Sequence, residues 1–182
     1  MTQAGFLATS FPQSKLIYMV RDGRAVSHSL VSRKLEFPPF SNHDHSHNLK
    51  QWAKLATGYE VEREIFIEMM KPRMGSLCGL VGSDRCARVR YEDLVTNTEQ
   101  ILRQLTSWLG LAWDPVMLRH HEALELVETS QLETTVDQVI RPVYREALDK
   151  WRGNIPTETL EELNNDMNIA AALRHFGYDP LV

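Results

Sequence analysis

The run Lys15-Leu16-Ile17-Tyr18-Met19-Val20 is short, apolar and rich in strand formers, and it is closed by the polar triplet Arg21-Asp22-Gly23. It predicts a buried strand that ends in a tight turn. Arg24 to Lys34 then reads as a helix, with Ala25, Ser29 and Arg33 at i, i+4 and i+8 on one face. A strand, a turn and a helix in this order open an α/β fold. Phe37-Pro38-Pro39-Phe40 breaks the pattern, and Ser41 to Asn48 is polar and loop-like. From about Leu49 to Met70 the apolar positions Trp52, Leu55, Ala56 and Tyr59 recur at helical spacing, until Lys71-Pro72.

Ala87 to Tyr91 alternates polar and apolar residues and predicts a second strand. Thr96-Asn97-Thr98-Glu99 has the form of a capping box, with Thr96 as the cap. The helix it would open carries Ile101, Leu102, Leu105, Trp108 and Leu109, and Gly110 stops it. Further helices are expected near Pro115 to His121, near Tyr144 to Lys150, and from Thr157 to His175 with Gly177 as the stop. Only two strands are evident. A parallel sheet wants more, so the chain reads as the back part of a larger α/β domain.

Composition narrows this little. The chain has 182 residues, 43% apolar and 24% charged, within the ordinary range for a globular domain. A formal net charge of -4 argues against a globally basic nucleic-acid binder. No apolar run approaches the 18 or so residues of a membrane span, and Met1 to Leu7 is too short and uncharged for a signal peptide. Cys78 and Cys86 are eight apart across Gly79, Gly82 and Ser83, a spacing that suits a bridged turn, while two unrelated thiols are the plainer reading of it.

Four constellations bear chemistry. Arg21, at the carboxyl end of a strand, points toward the crevice where open α/β sheets bind ligands, and its planar fork suits phosphate. Ser29 and Arg33 would add a hydroxyl and a second cation, enough to hold a dianion without a metal. The same residues also suit a surface helix whose arginines pair with acids. Tyr91, at the end of the second strand, can pack on a base or donate to a phosphate, or simply cap the core. Thr134-Thr135-Val136-Asp137-Gln138-Val139-Ile140-Arg141-Pro142-Val143-Tyr144, with Lys150-Trp151 after it, mixes hydroxyls, a cation and a proline as a ligand-closing loop does, and as an ordinary connection also does. His43, His45 and His47 alternate, as three metal ligands on one face of a strand would, but the prolines before them favour a solvated loop.

In this order the pieces resemble the protein-tyrosine sulfotransferases, over about residues 11 to 180. Lys15 to Ala25 with His28-Ser29 and Arg33-Lys34 looks like that family's 3′-phosphate-binding strand and helix, and Tyr91-Glu92-Asp93-Leu94-Val95 like its second strand. Asp137 to Val143 with Ala147-Leu148, Lys150-Trp151 and Ile155-Pro156 looks like its long cofactor loop, and Leu173 to Pro180 like its tail. The resemblance implies a P-loop-like sulfotransferase fold, a parallel sheet flanked by helices, forming one partial domain over residues 1–182. It implies 3′-phosphoadenylyl sulfate as donor substrate, no metal, and tyrosine hydroxyls of secretory-pathway or membrane proteins as acceptors in the Golgi lumen. A homodimer is compatible with it, and nucleic acid is not a partner. Carried over by position, Arg21, Ser29 and Arg33 hold the 3′-phosphate and Tyr91 contacts the nucleotide. Thr135, Val136, Asp137, Gln138, Val139, Ile140, Arg141, Pro142, Val143 and Tyr144 wrap it, and Lys150 completes the set. Cys78 and Cys86 fall where the family has a disulfide.

The departures are equally specific. The family's N-terminal strand, its phosphosulfate-cradling loop, its general base, a lysine for the leaving phosphate and its membrane anchor are expected upstream of this chain, so the resemblance is to the C-terminal part. Thr135 stands where the family usually has Ser, Arg141 where it has Lys, and Tyr144 where it has Asn. The chain alone is therefore expected to show little activity. Three other readings stay open: a non-catalytic nucleotide-binding or dimerising module, a sulfotransferase for another acceptor such as a glycan, and a metal-binding domain built on the histidines.

Overall fold

The computed structural model describes residues 9–35, 38–57, 82, 84–122 and 141–179. The chain divides into two compact units, residues 1–91 with 148–182, and residues 92–147.

In the first unit, strand β1 (Leu16–Val20) pairs in parallel with β2 (Cys86–Arg90), in the register Leu16↔Cys86 through Val20↔Arg90. Parallel pairing brings both strands to the same end, so the residues after them, Arg21 and Tyr91, are neighbours. β1 is less buried than expected. Val20 is buried at 3% exposure, but Ile17 and Met19 are 43% and 49% exposed, because its side chains alternate between two faces and the described residues cover only one.

Helix α1 (Gly23–Ser32) starts one residue earlier than the sequence suggests, because the Asp22 carboxylate caps it by accepting from the Arg24 N–H at 2.8 Å. It ends at Arg33, whose N–H still bonds the Ser29 carbonyl at 3.3 Å. Helix α2 (His45–Thr57) begins inside the stretch read as a loop. The missed signal is Asp44, whose Oδ1 accepts from the His47 N–H at 2.9 Å. The remainder of the helix expected to Met70 lies outside the described residues.

The single helix expected from Thr157 to His175 is two, α5 (Thr157–Asn165) and α6 (Met167–His175). Asp166 is extended at ψ 109, and its carboxylate accepts from the N–H groups of Asn168 and Ile169, ending one helix and capping the next. Gly177 is left-handed at φ +74, as a helix stop requires. Leu49, Trp52, Ala53 and Ala56 of α2 pack with Val20, Leu163, Ile169, Ala172, Leu173, Phe176 and Tyr178 to form the main core. A second cluster joins Ala25 of α1 to Trp151, Ile155 and Leu160. Arg88 and Arg90, on one face of β2, lie over Phe176 and Tyr178 at 5.6 and 4.5 Å and hold the tail to the sheet.

Helix α3 (Tyr91–Thr96) follows β2 directly; from Glu92 on it belongs to the second unit and leads into α4 (Thr98–Leu109). Tyr91 is therefore the first residue of a helix, not the last of a strand. The capping box is not formed: Thr96 is still helical, and Asn97 takes the cap position without a side-chain bond. Gly110, at φ +80, ends α4 as expected. Pro115–Glu122 is a 3₁₀ segment kinked at Arg119, not an α-helix. Tyr144 to Lys150 forms bends and turns in place of the expected helix. Among the described residues no helix is long and apolar enough to cross a membrane.

Candidate functional site

The site grows from the two strand ends. The Arg21 guanidinium carbon stands 4.5 Å from the centroid of the Tyr91 ring. This stacking orients the fork of Arg21 while its ring partner shields one side from water. The backbone of Arg21 is held as well, because the Trp52 indole N–H donates to its carbonyl at 3.0 Å.

The turn that follows is built around a buried ion pair. Arg24 meets Asp22 through Nη2 at 2.7 Å and through Nε at 3.0 Å, and both side chains are under a tenth exposed. The same guanidinium lies 4.2 Å over the ring of Trp151, which is 2% exposed. Arg24 therefore fastens the first turn of α1 to the segment that carries Lys150. In the sequence Arg24 and Trp151 stand out only as parts of longer motifs. Their structural role shows once the buried pair and the stacked ring are seen together.

Lys150 is exposed, and its charge reaches His28 on α1. Burial, then Lys150, then Arg21 hold the His28 imidazole below its usual value. Ser29, the next residue, is half-buried, and Arg33 lies one turn on at the end of α1. The first unit thus carries Arg21, Ser29, Arg33, Tyr91 and Lys150. Thr135, Val136, Asp137, Gln138, Val139 and Ile140 lie outside the described residues. Arg141, Pro142 and Val143 are exposed, Tyr144 is half-buried, and all four belong to the second unit.

The histidine run does not align its rings. His43 Nδ1 donates to Asn42 Oδ1 at 2.8 Å, and His47 Nε2 donates to the Pro39 carbonyl at 2.7 Å. His45 Nδ1 is 2.9 Å from Ser27 Oγ and links α2 to α1. His45 and His47 sit two apart in a helical turn, a spacing that sends side chains in different directions. Among the described residues no group of three or more His, Cys, Asp or Glu is placed to hold a metal ion. His45 also titrates below its usual value, through burial and then the repulsion of His28, with Asp44 opposing.

Comparison with known proteins bears on this arrangement. A protein-tyrosine sulfotransferase 2 from Gallus gallus is 37% identical over 178 residues, covering 96% of this chain and 43% of the relative. The protein-tyrosine sulfotransferase of Drosophila melanogaster is 33% identical over 99% of this chain and 33% of its own length. Protein-tyrosine sulfotransferase 1 of Danio rerio is 36% identical over 96% of this chain and 45% of its own. The chain spans less than half the length of these relatives. A sulfotransferase domain from the curacin biosynthetic pathway superposes with a TM-score of 0.48 at 17% identity, over 91% of this chain and 54% of that one, a likeness too loose to carry weight. The model of the sulfotransferase family matches residues 1–115, more than half of the chain, and takes in both strands, α1 and the Arg21–Tyr91 pair. The chain belongs to the sulfotransferase family.

Proposed function

We propose that these residues form the part of a protein-tyrosine sulfotransferase that grips the nucleotide of the sulfate donor, 3′-phosphoadenylyl sulfate. The observation that carries this reading is Arg21 over Tyr91 at the paired strand ends. A cation there can hold the 3′-phosphate while the aromatic ring flanks the nucleoside. Ser29 and Arg33 supply a further hydroxyl and cation from α1. Lys150 closes the set, and residues 135 to 144 wrap the nucleotide.

The reaction is in-line transfer of the sulfuryl group to a tyrosine phenol. A general base takes the phenol proton, and cations neutralise charge that builds on the leaving phosphate. Arg21, Arg33 and Lys150 act at the nucleotide end of this transfer by positioning and charge. The acceptors are tyrosines of secretory or membrane proteins in the Golgi lumen. An oxidising lumen suits a Cys78–Cys86 bridge. Cys78 lies outside the described residues.

Calorimetric titration of the chain with adenosine 3′,5′-bisphosphate tests the reading. Binding that disappears in Arg21→Ala is the expected result. No binding by the folded wild-type chain, or equal binding by the variant, overturns it.

A further inference from the structure

Arg21 and Lys150 each stand next to a buried residue. Arg21 is half-buried and is followed by Asp22, 6% exposed; Lys150 is exposed and is followed by Trp151, 2% exposed. Arg24, itself 5% exposed, joins those two buried neighbours. Its Nη2 is 2.7 Å from Asp22 Oδ2 and its Nε 3.0 Å from Asp22 Oδ1, while its guanidinium carbon lies 4.2 Å from the centroid of the Trp151 ring. The path from Arg21 to Lys150 is therefore two peptide links and two direct contacts, with Arg24 in the middle.

The segment around Lys150 is closed on itself. The Lys150 carbonyl accepts from Asn154 Nδ2 at 2.8 Å, the Ile155 N–H donates to the Trp151 carbonyl at 3.2 Å, and Arg152 lies over the Trp151 ring at 4.5 Å. All of these bonds stay within the segment. Its attachment to α1 runs through Trp151, which meets Arg24 and packs with Ala25, Ile155 and Leu160.

A buried ion pair is a costly way to fill this space. The loss of water around two charges offsets much of their attraction, and apolar residues of like volume often stabilise a fold as well. What apolar filling lacks is direction. A planar guanidinium forks onto a carboxylate and stacks on an aromatic face at once, so it fixes both a distance and an orientation between its two partners. Here those partners are the neighbours of Arg21 and Lys150.

We propose that Arg24 and Trp151 are positioning residues that fix where Lys150 stands relative to Arg21, and so set how firmly Lys150 holds the nucleotide's phosphate. The inference rests on the nucleotide-binding reading of the site and adds to it the residues that align its cations. Arg24 and Trp151 are too deeply buried to touch a ligand and act through Lys150.

The test measures binding of adenosine 3′,5′-bisphosphate to the whole chain by calorimetry, for wild type, Lys150→Ala, Trp151→Leu and the double variant. Trp151→Leu keeps an apolar side chain against Ala25, Ile155 and Leu160 but offers Arg24 no ring. Lys150→Ala should weaken binding by about tenfold or more, as for a hydrogen bond to a charged group. Trp151→Leu should weaken it by a similar factor, and the double variant should bind no more weakly than Lys150→Ala alone. Trp151→Phe, which restores an aromatic face, should recover most of the affinity. Circular dichroism checks folding. Arg24→Lys keeps a charge beside Asp22 but not the planar fork, and it takes the place of Trp151→Leu, with the same result expected, if that variant does not fold. A merely structural contact would weaken binding equally with and without Lys150, so losses that multiply overturn the proposal. It is also overturned if Trp151→Leu and Arg24→Lys bind as wild type does, or if Trp151→Phe binds as weakly as Trp151→Leu. Wild-type affinity in Lys150→Ala, with binding abolished in Arg21→Ala, overturns the proposal and spares the nucleotide reading. A folded wild-type chain that does not bind overturns both.

Discussion

Gly23 and Trp52 stand so close that no side chain fits between them: a Cβ on Gly23 would lie 2.4 Å from Trp52 Cδ2. The glycine is required by approach, and its φ is not among the positive ones. The contact sets α1 against α2 at the point where the chain leaves β1 for the site.

Gly23→Ala should therefore destabilise the protein by about 1–3 kcal/mol, the usual range for overpacking a tight contact. Trp52→Phe keeps most of the ring but removes the N–H that serves the Arg21 carbonyl, and should cost about 1–3 kcal/mol for the group left unpaired. Urea unfolding measures both. Unchanged midpoints would show that the turn can relax.

Asp22→Ala leaves the Arg24 charge buried without its partner and removes the cap of α1. Removing one member of a buried pair typically costs about 3–5 kcal/mol. We expect a loss of that size by denaturant titration, accompanied by greater exposure of Trp151 to a fluorescence quencher, since Arg24 no longer holds its place over that ring. A loss below about 1 kcal/mol would mean that the pair is solvated in solution.

Acid should weaken the free protein through its histidines. His28 and His45 both titrate below the usual value near 6.5, so the unfolded chain takes up their protons first. Their contribution to stability is complete above about pH 6.5 and is lost as pH falls through that value toward the lower folded-state values. Thermal unfolding in buffers from pH 7.5 to pH 5 should show Tm falling, with a shallower fall in His28→Asn/His45→Asn. Parallel curves for the two proteins would refute the assignment.

Asp166→Ala removes the carboxylate that accepts from two N–H groups at the start of α6. That helix supplies Ile169, Ala172 and Leu173 to the core. The loss should be about 0.5–2 kcal/mol, and Asp166→Asn, which keeps a cap oxygen, should recover most of it. Failure of Asn to rescue would point to charge, and not hydrogen bonding, as the role of Asp166.

The strand-turn-helix from Leu16 to Ser32 is legible in the sequence because an apolar run, a polar turn and a helical period all agree over those residues. Boundaries were harder where one signal stood alone. Asp166 was hidden because the apolar period continues from Leu160 and Leu163 into Ile169 and Leu173 across the break. His45 and His47 read as loop because the prolines before them outweighed Asp44 as a helix start. Thr96 had the letters of a cap but sits in the last turn of another helix, where its backbone cannot play that part. In the site, Arg21 and Tyr91 were foreseen separately, while their stacking depends on a parallel register that no local pattern encodes. The seating of the Lys150–Trp151 segment against α1 likewise depends on Arg24 lying over Trp151, a contact between distant parts of the chain.

The register of β1 on β2 joins residue 16 to residue 86 and residue 20 to residue 90. A pairing over so long a stretch can form only after a large loop has closed, and that entropy is lost before any contact repays it. α1 and α2, by contrast, are near neighbours in sequence. The two halves of the Arg21–Tyr91 pair are therefore expected to meet late in folding, and a chain still being made cannot form the pair until residue 91 has arrived.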